Sequence, residues 1–238
     1  MTSAPSVLPS QFLRGQEERL SFLPAGGTTG ALIRAIDWSN TALGPVEEWP
    51  QSLRTSISIC LNSRFPMLIW WGPSLVKIYN DAYIPMLGAK HPRALGQTGR
   101  EVWPEIWHII GPMLEGVMQR GEATWSEDTL LPLERKGFTE ECYFTFSYSP
   151  INTEDGGIGG VFTAVSETSA KVIGERRLDT LRELGSLGSN ARTAAQAAVM
   201  AARVLSSNVK DLPFSLIYLP VSYTHLDVYK RQPHRKRQ

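Results

Sequence analysis

Residues 141–151, ECYFTFSYSPI, restrict the fold more than any other stretch. Aromatic and small residues alternate along it, the period of a strand with one face on a core. Such a strand needs antiparallel neighbours, and two are at hand. Residues 123–134 and 157–167 also read as extended, and NTEDGGIGG places an Asp-Gly turn before the last of them. Upstream, MLIWWG and SLVKIYN are separated by Gly72-Pro73, as the arms of a hairpin are.

Helical signals fill the remainder. Glu47, Glu48 and Pro50 sit where a helix begins, and Leu53, Ile57 and Leu61 then share one face. Cys60, beside them, reads as core. Asn80 is placed to cap a short helix and Gly88 to end it with a positive φ. Trp103, Ile106, Ile110, Leu114 and Val117 have helical spacing, with a bend expected at Gly111-Pro112. Two strands, short helices, one longer helix and three strands predict an α+β domain. Its centre is a five-stranded antiparallel sheet with flanking helices.

Length and composition narrow the class. The chain of 238 residues has room for one or two domains, and 42% hydrophobic content is too high for general disorder. No apolar run approaches the ~20 residues of a membrane span. The N-terminus lacks a basic region followed by an apolar core, so no signal peptide is expected. Cys60 and Cys142 are the only cysteines, too few for a disulfide framework, and the expected localisation is cytoplasmic. The net charge of +1 conceals a basic tail. From Val221 onward five basic residues stand against Asp227, and the rest of the chain offers no nucleic-acid surface. No Gly-rich phosphate loop, GxSxG, HExxH or clustered Cys/His spacing is present, so no catalytic residue and no metal site are assigned.

The expected organisation is a flexible leader (1–20), an α+β domain (21–168), a connecting helix (169–188), an Ala-rich helix with the strand PFSLIYL (189–219), and a tail (220–238). The connecting helix carries Leu178, Leu181, Leu184 and Leu187, a spacing suited to pairing in a dimer. VSYTHLDVYKRQ can be encoded by DNA that, with CT in front, is its own reverse complement. It resembles two head-to-head transposon ends of the kind used in sequencing libraries, so residues 220–238 read as non-native.

IYNDAYIPMLGAKHPRALGQTGREVWPE resembles a PAS sensory domain, through Asn80, Ala82, Tyr83, Leu87-Gly88 and Leu95-Gly96. ECYFTFSYSPI and GGIGGVFTAVSET resemble its last two strands, with Glu167-Thr168 where the family often closes in Asp-x-Thr. NSRFPMLIWWGPSLVKIYNDAYIPMLGAKHP and GREVWPEIW are similar to a bacterial subgroup in which PAS precedes a GAF domain and a histidine kinase. Residues 175–219 look like the opening of that GAF domain. The resemblance implies a sensory input region of a two-component sensor histidine kinase. Its partners would be a second copy, a downstream kinase and a response-regulator receiver. Alternatives are the PAS-GAF input of a phosphatase or cyclic-dinucleotide enzyme, or a stand-alone PAS interaction module.

PAS domains often bind a small molecule between sheet and helices. On that basis Tyr79, Tyr83, Trp103, Trp107 and Phe144 are the candidate pocket residues, and Glu167 with Thr168 the signalling junction. No haem or flavin is expected. His108 on the long helix is one imidazole without a supporting pocket, and Ser63 in LNSRFP stands where a flavin-binding relative needs Cys. His91 reads as an exposed loop residue.

Overall fold

The computed structural model describes residues 20–23, 27–187, 191–220 and 226–228. Nearly all of the leader and most of the tail therefore lie outside the described residues. The chain divides into two units, Met1–Ser169 and Ala170–Gln238.

In the first unit, helices α1 (Thr28–Ala35) and α2 (Gln51–Asn62) precede the hairpin β1 (Met67–Trp71) and β2 (Val76–Tyr79). Short helices α3 (Ile84–Leu87) and α4 (Gly99–Val102) and the longer α5 (Trp107–Arg120) follow. Strands β3 (Thr124–Leu133), β4 (Glu140–Asn152) and β5 (Ile158–Glu167) complete it. The sheet order is β2-β1-β5-β4-β3, antiparallel throughout. Strand β5 thus joins the upstream hairpin to the downstream meander, and the sheet closes only when both halves of the unit meet.

The hairpin turns at Gly72, whose φ of 69 suits a residue without Cβ. Consecutive buried positions along β1 and β2 show that both faces are covered there. Helices α2 and α5 both pack on the sheet. On α2, Leu53, Ile57 and Cys60 are fully buried. The Cys60 thiol lies 3.5 Å from the Met67 carbonyl, and burial pushes its pKa up to about 12.

Three expectations need correction. Glu47 and Glu48 belong to a separate 3-10 turn, Val46–Glu48, and α2 starts only after Pro50. Trp103 lies outside the long helix, because Pro104 disfavours helical backbone at the residue before it; α5 starts at Trp107. The expected bend at Gly111-Pro112 does not divide α5. Pro112 falls early in the helix, so a single backbone bond is lost there.

Asn80 ends β2 and is fully buried. Its Oδ1 accepts from the backbone N–H of Met67 (3.1 Å) and of Tyr83 (3.2 Å). Its Nδ2 points at the carbonyls of Cys60 (3.1 Å), Ser63 (3.1 Å) and Phe65 (2.7 Å). One amide therefore ties the end of α2, the start of β1 and the turn Asp81–Tyr83 to β2. The neighbouring Asp81 accepts from the N–H groups of Thr28 (2.8 Å) and Thr29 (2.7 Å), fastening the first turn of α1.

The second unit holds α6 (Ser169–Ser186), from its second residue onward, and α7 (Ala194–Ser207). Thr193 caps α7 through the Gln196 N–H. Asp211 accepts from Arg176 at 2.7 and 2.9 Å and from Arg177 at 3.3 Å. The expected buried strand at 214–219 is not formed: Phe214 is 79% exposed. Only β6 (Tyr218–Pro220) is extended, and it pairs with β7 (Leu226–Val228), inside the segment read as non-native. No strand pairs with residues 214–217 among the described residues, and Phe214 and Leu216 are exposed.

Replacing Asn80 by Ala should cost about 3 kcal/mol or more, because it removes the side-chain acceptor of the Met67 N–H and the donor to the Cys60, Ser63 and Phe65 carbonyls. Urea unfolding checks this; an unchanged midpoint would show that the backbone finds other partners.

Candidate functional site

The strand register sets up a cavity between the sheet and the helices. Leu68 and Trp70 of β1, Phe144, Phe146 and Tyr148 of β4, and Thr163 and Val165 of β5 project from the same face of the sheet. They do so because Leu68 pairs with Thr163, Thr163 with Tyr148, and Val165 with Phe146. Ile106 and Ile110, at the start of α5, close the opposite side with Tyr83, Met86 and Trp103. Leu131 and Leu133 of β3 complete the wall. The space open to water-sized spheres is about 40 Å³. One water needs roughly 10–15 Å³ on that measure, so the cavity takes a few waters or a small organic molecule.

Of the five candidate residues, Tyr83, Trp103 and Phe144 line this cavity. Tyr79 and Trp107 do not. Tyr79 lies on the edge strand, packs against the Tyr83 ring at 5.9 Å, and shares a 2.9 Å hydrogen bond with His91 Nδ1. Trp107 sits at the N-terminal end of α5 and turns toward α4, under the Arg100 guanidinium at 5.6 Å. Gly99 makes room for it: a Cβ there would come within 2.6 Å of both the Trp107 and Trp70 rings. His91 is half-buried, not exposed, because Tyr79 draws it in. His108 is exposed on α5 and lines no part of the cavity.

Two residues that sequence reasoning passed over matter more. Lys77 is fully buried, and its Nζ has no hydrogen-bond partner among the described residues. It lies 4.5 Å from the Trp103 ring centre, 5.0 Å from Tyr83 and 5.1 Å from Trp70. Burial, and then the nearby Lys90, hold its pKa well below the ordinary lysine value, while Glu105 opposes them. A signal was present in SLVKIYN: Lys77 shares strand parity with Tyr79, so any inward reading of Tyr79 turns Lys77 inward too.

Arg135, in the loop between β3 and β4, is the second. It donates to both carboxylate oxygens of Glu167 (2.8 and 2.9 Å) and to Glu140 (3.2 Å). Its carbonyl accepts from the Ala89 N–H at 2.9 Å. Gly88, with φ of 53, permits that approach, since a Cβ would stand 2.6 Å from the Arg135 oxygen. The pairing joins residues 32 apart, which no local pattern reveals.

Glu167 and Thr168 stand where β5 hands over to α6. Ser169 Oγ donates to Glu167 and accepts from the Tyr143 N–H, both at 2.9 Å. The Thr168 N–H donates to the Tyr143 carbonyl at 2.8 Å. Among the described residues no group of His, Cys, Asp and Glu could hold a metal ion, and no helix is long and apolar enough to cross a membrane.

Comparison with known structures gives distant likenesses. A sensory box sensor histidine kinase from Vibrio cholerae is 19% identical, over 43% of this chain and 77% of that one, with a TM-score of 0.34. The PAS domain of Bordetella pertussis BvgS is 17% identical, over 52% and 92%, with a TM-score of 0.37. A Rhodobacter sphaeroides LOV protein is 12% identical, over 68% and 96%, with a TM-score of 0.42. Residues 74–172 match the family model described as PAS fold, spanning the second strand of the sheet through the start of α6. With a five-stranded antiparallel sheet, helices on it and a cavity between them, the chain has a PAS-like α+β fold, matched to the family over residues 74–172.

Proposed function

We propose that this PAS domain is the sensory input of a bacterial two-component sensor histidine kinase. It would control a kinase outside this sequence, and through it a receiver, by way of helix α6. The observation that carries the reading is a register contact. Phe144, a wall of the cavity, pairs directly across the sheet with Glu167, the residue bonded to Arg135 at the handover to α6. A ligand that moves the Phe144 ring acts on the strand pair from which the helix departs. The output then follows as a biased two-state equilibrium.

Three further parts of the reading rest on narrower support. Helix α7 and the extended residues after it are the opening of a GAF domain. Helix α6 pairs with its copy in a homodimer, since Leu178 and Leu181 are exposed on it. The ligand is a small molecule and not haem or flavin, since His108 is exposed and lines no part of the cavity and Ser63 stands where a flavin-binding relative needs Cys.

The transcript that carries residues 21–219 tests the output: an H-box helix followed by ATP-binding boxes is expected, and a phosphatase or cyclic-dinucleotide domain instead would overturn the kinase reading. The junction is testable in the chain itself. Arg135 first, against the opposing effect of burial, holds the Glu167 carboxyl below its usual value of 4.5. A depressed carboxylate stabilises the fold fully above that value and ceases to do so as pH falls through its folded-state value. The stability gap between the wild type and Glu167→Gln should therefore be steady at neutral pH and close in acid. Urea titrations across pH 3–7 read it; a gap independent of pH would show that the ion pair is not what Glu167 contributes.

A further inference from the structure

Lys77 presents an unsolved balance. An amine buried without an acceptor costs free energy, and more so when it is charged. Three aromatic faces offset part of that, since ring quadrupoles attract a cation. None of them accepts a hydrogen bond as an oxygen does. The three rings around Nζ, those of Trp70, Tyr83 and Trp103, are also three walls of the cavity. Amine and cavity thus share a partition: Lys77 is not itself among the residues that line the cavity, and a head group would reach Nζ only between those rings.

The surrounding charge favours one sign of ligand. Lys90 stacks on Trp103 as well, with Nζ 4.3 Å from the ring centre. Glu105 binds Lys90 at 2.6 Å and Lys90 also donates to the Val102 carbonyl at 2.7 Å, so that carboxylate is engaged away from Lys77. The other titratable group facing Lys77 is the Tyr83 phenol, whose own pKa burial raises; Tyr79 and Arg135 act electrostatically on that phenol. Glu105 matches Lys90, and Lys77, once protonated, has no carboxylate of its own among the described residues.

We infer that Lys77 is the polar anchor of the cavity and that the ligand is a compact organic acid. Its carboxylate accepts from Lys77 Nζ, and its apolar body lies among Leu68, Ile110 and Phe144. This rests on the sensory reading of the cavity and names the chemistry it senses. Binding of the anion carries one proton onto the amine, so affinity falls as pH rises.

Butyrate and benzoate are the probes, with butanol and benzyl alcohol as neutral counterparts, followed by tryptophan fluorescence because Trp70 and Trp103 wall the cavity. The acids should bind more tightly than the alcohols. Their affinity should fall about tenfold per pH unit above the pKa of the free amine. Lys77→Met should weaken the acids at least tenfold and leave the alcohols unchanged. It should also unfold at no lower urea concentration than the wild type, since it removes an unsatisfied donor. If Lys77→Met fails to fold, Lys77→Gln serves the same comparison. Alcohols binding as well as acids, or acids indifferent to Lys77, would overturn the anchor while leaving a ligand cavity in place. No saturable response to any of the four would overturn the cavity reading with it.

Discussion

The side-chain amide of Asn80 is the joint on which the rest of the domain depends. It is buried at the end of an edge strand, where backbone groups from four segments converge without a regular ladder to satisfy them. Asn is the residue type that can accept on one side and donate on the other within a single planar group. Because Met67 is held there, β1 begins in a fixed register against both β2 and β5. That register decides which side chains of five strands share a face, and therefore where the cavity is.

From the cavity a chain of contacts runs outward through the sheet. Phe144, Phe146 and Tyr148 face inward from β4, while the far end of the β4–β5 pair closes at Glu167. Arg135 gathers Glu167 and Glu140 at that end, and its backbone carbonyl reaches the end of α3 at Ala89. Cavity wall and helix departure are thus neighbours within one ladder, linked by packed rings and charge-assisted hydrogen bonds. A buried amine, that of Lys77, stands beside this wall.

Much of the fold was legible because its signals are local. Alternation in ECYFTFSYSPI, the Asp-Gly turn, the break at Gly72-Pro73 and the cap at Asn80 each act over a few residues, and the strands fall within a residue or two of where these place them. Boundaries that depend on competition went wrong. Trp103 has helical spacing, yet Pro104 excludes it from α5. Phe214 to Leu219 is apolar enough for a strand, but a strand needs a neighbour, and spacing does not supply one. The site was half legible for the same reason. Tyr83, Trp103 and Phe144 line the cavity, while Tyr79 and Trp107 are turned aside by His91 and by the gap at Gly99, partners that spacing does not disclose.

By itself the sequence determined the kind of domain: period-2 strands, capped short helices and one amphipathic helix admit few arrangements besides an antiparallel sheet with helices against it. Only the tertiary structure decided which aromatic rings enclose space, that Lys77 stands among three of them without an acceptor, and that Arg135 closes on Glu167. The physical reason is that burial, cavity shape and pKa depend on groups distant in the chain, brought together by strand register, whereas caps, turns and periodicity depend on neighbours a few residues away.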